Sequence, residues 1–328
     1  MASSPLVSVV IPAFNHSEYV LATLSSVHDQ TYPRLELILV DDCSADETFE
    51  LAETLLGTPF RRRFERVEMV RNRQNHGAHA SLNLGIKLSK GDFIAFLNSD
   101  DLFHKQRIEK ILNHLQASGS EFGFSLVDVL AEGASRQSDT AEAAIRSNPQ
   151  LGPFVLYGLR QKLAIAREPT IGFSLLRQNV AVSSGNFVVS TRVANALGGF
   201  LPLRYCHDWE FVLQAVVLTE PVCVMEPLYS YRLHRRNTFR SLESVRDVEA
   251  EVTLRRFFRQ VHRLQPPNQL CPSPWTWGAT FQCLLTKQGS PMCATPKMAA
   301  ACRVGAFTTG PSACKHAREP ANETWWRP

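Results

Sequence analysis

The run Phe93-Ile94-Ala95-Phe96-Leu97 constrains this chain more than any other stretch. It is wholly apolar, follows Gly91-Asp92, and stops on Asn98-Ser99-Asp100-Asp101. Five consecutive apolar residues with polar borders predict a strand buried on both faces, as in a parallel sheet. In open α/β sheets, ligands lie in the crevice at the carboxyl ends of the strands. The stretch therefore sets an amide and two adjacent carboxylates where a ligand would bind. Hard divalent cations take oxygen ligands, and Mg2+ is commonly held by one or two carboxylates plus substrate phosphates. The same four residues would also serve as a cap for a helix over residues 102–115, whose Ile108, Ile111, Leu112 and Leu115 share a face. The other strand ends separate these readings.

Three strand–helix repeats come before this stretch. Residues 6–11 are rich in β-branched side chains and stop at Pro12, leaving Ala13-Phe14-Asn15 as the loop at the carboxyl end. Asn15, with Glu18 three residues on, predicts a capped helix carrying Val20, Leu24 and Val27 on one face. Residues 35–40 predict a second strand ending on Asp41-Asp42. Ser44 and Glu47 predict a second capping box, and Gly57 the end of its helix. Residues 67–70 predict a third strand, Asn75-His76-Gly77 a turn, and Ala78 to Leu88 a third helix. This alternation predicts a doubly wound, mostly parallel sheet with helices on both faces. Polar groups at three strand ends weigh against simple capping.

Composition excludes several classes. Thirty-five basic residues against 31 acidic ones give a formal charge of +4, and the excess sits in residues 265–328. No polyanion or nucleic-acid partner is expected. No apolar run approaches the ~20 residues a membrane helix needs, and residues 6–11 are too short for a secretory leader. Five of the eight cysteines fall in the last 64 residues without Cys-x-x-Cys spacing, and the other three show no paired spacing. That pattern predicts a reducing, cytoplasmic compartment and no zinc. Neither a Gly-x-Gly-x-x-Gly nor a Gly-x-x-x-x-Gly-Lys loop follows the first strand, which disfavours dinucleotide and P-loop sites.

The second half reads less clearly. Residues 122–130 predict a strand, 131–150 a polar insertion or mobile loop, and 151–177 helical pieces. A strand over 184–190 leads to a helix ending at Gly198-Gly199-Phe200, and a further helix runs from Cys206 through Leu218. A strand over 222–225 and a charged helix over 242–264 follow. From Gln265 the chain carries nine prolines and four of its five tryptophans with no helical or strand period. Residues 265–328 are therefore expected to be disordered or loosely attached, leaving a domain over 1–264.

The segments 7–15, 40–48, Asn75-His76-Gly77 with Asn83-Leu84-Gly85, and 97–101, in this order and spacing, resemble family 2 glycosyltransferases of the GT-A fold. The resemblance covers roughly residues 5–262. It implies a Rossmann-like nucleotide-binding half, 1–101, and an acceptor half, 102–264. It implies that Pro12, Phe14 and Asn15 frame the base and ribose of a nucleotide-diphosphate sugar, and that Asp42 hydrogen-bonds the base. Gly77, Asn83 and Asn98 would line the donor, and Arg232, in Tyr-Arg-Leu-His, would meet its diphosphate. Asp100 would hold Mg2+ or Mn2+ with Asp101 beside it, and His234 would bind metal or phosphate. Asp208, after Gly198-Gly199-Phe200, would be the catalytic base; its bland alternative is a first-turn carboxylate favoured by the helix dipole.

The implied activity is inverting, metal-dependent sugar transfer to a saccharide or lipid-linked saccharide, as in polysaccharide biosynthesis. It would occur in the cytoplasm or in peripheral contact with the inner membrane face. The chain departs from the family pattern with Asn98 for an acid, Leu82 for an arginine and His207 for an acid. Those departures support a rival reading, a non-catalytic nucleotide-sugar-binding or scaffold protein with a degenerate site. Retention of Asp42, Asp100, Asp101 and Asp208 opposes it. Nucleotidyl transfer would need a glycine-rich basic loop after the first strand, which Pro12-Ala13-Phe14-Asn15 lacks.

Overall fold

Four strands form where the apolar runs predict them: β1 (Val7–Ala13), β2 (Leu35–Asp41), β3 (Arg66–Arg71) and β4 (Phe93–Phe96). The computed structural model describes residues 4–130, 157–234, 237 and 243–286. These four strands pair in parallel in the order β3-β2-β1-β4. Alternate side chains point to opposite faces. Val9, Ile11, Leu37 and Leu39 pack in one layer with Val20 and Leu24 of α1 (Val20–His28) and Ala52 of α2 (Thr48–Leu56). Val10, Ile38 and Val40 pack on the other face with Leu82 and Ile86 of α3 (Ala78–Leu88). Covering both faces explains why these strands read as continuous apolar runs.

The sheet continues through β7 (Val188–Ser190), β6 (Phe122–Leu130), β8 (Val222–Arg232) and β5 (Leu102–Phe103), in the order β3-β2-β1-β4-β7-β6-β8-β5. Four of the seven pairings among the described residues are parallel, in keeping with the expected mostly parallel sheet, but this half is mixed. β4–β7, β6–β7 and β5–β8 are antiparallel, and only β6–β8 is parallel. A parallel neighbour needs a crossover of a dozen or more residues. The turn over 97–101 is too short for one, so the chain folds over and lays β5 against the end of β8. That is also why α4 (Arg107–Ser118) starts five residues later than expected, since Leu102 and Phe103 are taken by the sheet. The strand expected over 184–190 is a 3₁₀ turn at Ser184–Asn186 followed by β7, and β8 runs seven residues beyond the expected 225.

The remaining helices are α5 (Tyr157–Ala166), α6 (Ile171–Arg177), α7 (Thr191–Leu197), α8 (His207–Leu218) and α9 (Glu243–Arg263). An aromatic core joins the halves: Phe200 stacks on Phe211 at 4.1 Å between centroids and meets Phe96 edge-on at 5.3 Å.

The boundary expected at residue 264 is not where order ends. Two short helices follow, α10 (Pro274–Trp277) and α11 (Thr280–Thr286). Cys271, Phe281 and Leu285 are buried in the main core, and Trp277 stands edge-on to Phe173 at 5.0 Å. The Asn268 amide donates to the Val216 carbonyl at 2.8 Å and to Glu220 at 3.1 Å. Apolar residues on short irregular chain bury without any period, so pattern alone could not see them. The loop expected over 131–150 and the tail over 287–328 lie outside the described residues. Among the described residues, no helix is long and apolar enough to cross a membrane.

Candidate active site

The turn Asn98-Ser99-Asp100-Asp101 sits at the carboxyl end of β4, and α1 fastens it. Thr23 donates one hydroxyl to both the Ser99 and the Asp101 carbonyls, each at 2.9 Å. The two acids then point different ways. Asp101 is fully buried, with Oδ1 accepting from the Arg232 amide at 2.7 Å and Oδ2 accepting from Asn98 at 3.0 Å and from the Tyr229 hydroxyl. Burial, and then the charge of Asp100, push the Asp101 carboxyl well above the usual range. Its oxygens brace β4 against β8, and it does not join the neighbouring cluster of His16, Asp100 and His234.

Asp100 has the company Asp101 lacks. Its Oδ2 lies 2.9 Å from His234 Nε2 and 3.8 Å from His16 Nε2. Burial alone would raise the Asp100 carboxyl, but the charge of His16 and the hydrogen bond with His234 hold it below the ordinary value. The donor atoms of His16, Asp100 and His234 all lie within 4.8 Å of one another. The residues fit a divalent cation by their chemistry, offering one carboxylate and two imidazoles from three strand ends. His16 was not singled out from the sequence; its one signal was adjacency to Asn15 in the first strand-end loop. Tyr19 packs against both imidazoles, at 5.9 Å from His16 and 5.1 Å from His234, and the Arg232 guanidinium lies over its ring at 4.9 Å. Arg232 itself is buried and donates from Nε to the Asp100 carbonyl at 2.7 Å.

The first two strand-end loops are tied together. Asn15 does not cap α1. Its Oδ1 accepts from the Ala45 amide at 2.8 Å, and α1 starts at Val20 without a side-chain cap. Nor does Ser44 cap α2, since its hydroxyl is donated to Asp41; Asp46 takes the Thr48 amide instead, at 3.0 Å. Pro12 is half-buried and Phe14 stands 42% exposed above it. Asp42 is buried and accepts from Asn72 Nδ2 at 2.7 Å, the Gly77 amide at 2.7 Å and the His76 amide at 3.1 Å. Gly77 reaches it with φ +88°, a conformation that only glycine adopts at little cost. Among the described residues, three non-glycine residues also have left-handed backbones: Asn15, Cys43 and Val182. All lie in the loops around this site, where strain of about 1–3 kcal/mol per residue concentrates in functional proteins.

Asn83 and Asn98, both expected at the donor, also make contacts within the fold. Asn83 exchanges two hydrogen bonds with Phe200, 2.7 Å into Oδ1 and 2.9 Å from Nδ2, clamping α3 to the Gly198-Gly199-Phe200 turn. Asn98 donates to Asp101 and, at 2.9 Å, to Ser183. Leu82 lies in the core, fully buried.

Asp208 opens α8. Oδ1 accepts from the Trp209 amide at 2.7 Å and Oδ2 from Asn179 at 3.1 Å. Asp208 keeps some accessible surface yet is densely surrounded, and burial pushes its carboxyl up to about 7. Glu249 of α9 accepts the Arg204, Tyr205 and Cys206 amides at 2.7–2.9 Å. No local signal could have found Glu249, which lies 41 residues from Asp208. Burial lowers His207 to about 4, so it is neutral near pH 7. The Tyr231 phenol in β8 is raised, by burial first and then by Asp101, Asp100 and Asp208.

Residues 8–159 match the family described as Glycosyl transferase family 2. The chain is 34% identical over 128 residues to TuaG of Bacillus subtilis (strain 168), a glycosyltransferase named for teichuronic acid biosynthesis; the match covers 39% of this chain and 49% of TuaG. It is 31% identical over 120 residues to WfaP of Escherichia coli, named a UDP-Glc:alpha-D-GlcNAc-diphosphoundecaprenol beta-1,3-glucosyltransferase, covering 37% and 45%. The chain thus spans less than half of either relative. Among solved structures, Staphylococcus aureus TarS 1–349 with UDP-GlcNAc superposes with TM-score 0.58 at 17% identity, over 79% of this chain and 67% of that one. The Pyrobaculum calidifontis mannosyltransferase PcManGT with GDP-Man and Mn2+ gives TM-score 0.58 at 15% identity, over 94% and 77%. At these identities the likeness speaks for the GT-A fold alone.

Proposed function

From the match of residues 8–159 to glycosyl transferase family 2, we propose that the chain moves a sugar from a nucleotide-diphosphate sugar to an acceptor hydroxyl with inversion. One observation carries this reading: the donor atoms of His16, Asp100 and His234 converge within 4.8 Å at three strand ends, in a chain whose Asp208 carboxyl is raised to about 7 by burial. A base whose pKa lies near the working pH transfers protons most effectively. Pro12, Phe14 and Asn15 flank the base and ribose, with Asp42 holding the Asn75-His76-Gly77 turn against them. Arg232 supports the turn beneath the diphosphate. Asp208 takes the proton of the acceptor hydroxyl as its oxygen bonds the anomeric carbon. The bond from that carbon to the diphosphate breaks on the opposite face, which inverts the configuration. Asp100, His234 and His16 would hold a divalent cation, Mg2+ or Mn2+, which when bound neutralises charge on the departing diphosphate.

A saccharide or lipid-linked saccharide acceptor is the reading that WfaP's name favours. Work on such an acceptor would bring a reducing, cytoplasmic protein into peripheral contact with the inner membrane face. The test is release of nucleoside diphosphate from a panel of UDP-, GDP- and dTDP-sugars with Mn2+ and an acceptor. Release from one donor supports the reading. Donor binding without release across the panel would favour a degenerate binding protein and sink it.

A further inference from the structure

Between α6 and β7 the backbone takes a conformation that its own sequence disfavours. Val182 has φ +75°, in the left-handed region. A β-branched residue is rare there, because its Cβ crowds the backbone. Such strain persists only where the surroundings over-determine it. Here they do. Gln161 of α5 is buried and donates to the Val180 carbonyl at 2.7 Å, and the buried Asn186 amide donates to the Ala181 carbonyl at 3.0 Å. The Val182 amide donates to the Asn179 carbonyl at 3.1 Å, and the Ser183 amide to the Ala181 carbonyl at 3.0 Å.

Each end of this held segment meets a different part of the active site. Asn179 Nδ2 donates to Asp208 Oδ2 at 3.1 Å. Ser183 Oγ accepts from Asn98 Nδ2 at 2.9 Å, at the turn that follows β4. Two residues on, Gly185 lies so close that a Cβ there would come within 2.2 Å of the Tyr229 hydroxyl and 3.0 Å of the Asn98 amide. We propose that residues 179–183 form a rigid bridge that fixes the base Asp208 relative to the donor turn, with Asn179 the positioning residue at its acceptor end. The inference rests on the reading of Asp208 as the base and adds what aims it.

Among the described residues, Asn179 is the one side chain that donates to Asp208; the other donor, the Trp209 amide at 2.7 Å, moves with α8 itself. Displacement at the anomeric carbon needs base, acceptor oxygen and donor set together, and a misplacement of 1 Å can cost ~10²-fold. A link locked in one backbone well transmits position, whereas a flexible one would let Asp208 and the turn drift apart. The Asn179 amide also favours the charged carboxylate, so it opposes the burial that raises Asp208. Glu249 is the other charged group that raises Asp208, and Asp208 in turn adds to the burial that raises Cys206 and Tyr231; none of these lies on the bridge.

The experiment uses the full chain with whichever sugar of the UDP-, GDP- and dTDP-sugar panel releases nucleoside diphosphate. It reads donor affinity, turnover and the pH–rate profile, with every variant assayed well below its melting temperature. Asn179→Leu is close in shape but cannot donate. Its turnover is expected to fall ~10–100-fold with donor affinity unchanged. Its pH–rate midpoint should rise above about 7, because the charged base has lost a hydrogen bond. Asn179→Asp keeps the shape and sets a second charge against Asp208, so its midpoint should rise further; it decides the matter if the leucine variant folds poorly. Val182→Gly frees the backbone to leave the left-handed region and should lower turnover with donor affinity kept. Wild-type turnover in Val182→Gly, or a midpoint unmoved in both Asn179 variants, overturns the bridge. If Asp208→Asn is inactive while the bridge variants behave as wild type, this inference alone falls. Full turnover in Asp208→Asn removes the base beneath it and both readings fall together.

Discussion

In the parallel half of the sheet, an acid follows directly on its strand and is gripped by backbone amides a few dozen residues away. Asp42, one residue past β2, accepts from two turn amides and a side-chain amide. In the mixed half, Asp208 follows no strand. It starts a helix, accepts one backbone amide and one side-chain amide, and has Glu249 of a distant helix nearby. The carboxylate with several donors is immobilised as a staple. The one with few donors, in dense surroundings, has burial as its dominant influence and is poised near neutrality. Asp100 and Asp101 repeat the contrast within one turn, because β8 takes Asp101 and leaves Asp100 to the cleft.

The sharpest way to break this contrast is at Asp100. Asp100→Ala should abolish cation-dependent turnover and Mn2+ binding while circular dichroism stays native; full activity with metal present would end its assignment. Asp208→Asn comes next. A general base contributes ~10²–10⁴-fold, so turnover should fall by at least ~10²-fold with donor affinity unchanged. Unchanged turnover would return Asp208 to the role of a helix-terminal acid. In the wild type, the rate should climb as pH passes about 7 and level off above it, since the base acts unprotonated. The same shift has a stability sign. A folded pKa raised above the unfolded ~3.9 favours the protonated fold, so its stabilisation is full below ~4 and lost as pH rises through about 7. Asp208→Asn removes that loss and should melt higher than the wild type at pH 8.

The third test concerns where the mixed half ends. A chain stopped at residue 264 loses the burial of Phe281 and Leu285, each ~1.5–3 kcal/mol, so its unfolding free energy should drop by at least about 3 kcal/mol. An unchanged denaturation midpoint would restore the boundary at 264. Asp101→Ala should cost about 3 kcal/mol by leaving the Tyr229 hydroxyl and the Arg232 amide without their acceptor, yet keep Mn2+ affinity. Loss of Mn2+ binding without loss of stability would make Asp101 a ligand. The smallest effect is expected at Glu249. Glu249→Gln removes a charge that raises Asp208, so the midpoint of the pH–rate profile should move down. A midpoint that stays put or moves up would separate the two acids.

Much of the first half was legible because its information is local. Gly77 stands next to Ala78, and α3 runs over the predicted residues, since a turn glycine and an apolar face four apart fix a helix within a dozen positions. The ends of β2 and β4 were legible for the same reason: an apolar run stops where its acids begin. The capping boxes at Asn15 and Ser44 misled, because each side chain found a better partner across the loops, Ala45 for one and Asp41 for the other. Local propensity offers a cap, and tertiary contact outbids it.

The sequence by itself determined the strand–helix order of the first hundred residues, the parallel half, and the placing of Asp42, Asp100 and Asp208 at element ends. Only the tertiary structure decided which of two adjacent acids faces the cleft. It also brought His16 beside His234, 218 residues on, set Glu249 at the start of α8, and buried the segment after residue 264. The physical reason is the range of the forces. Hydrophobic periodicity and turn chemistry act over a few residues and are written in them. The burial and charge that set a carboxyl's pKa, and the convergence of two imidazoles and a carboxylate from three strand ends, exist only when distant segments pack.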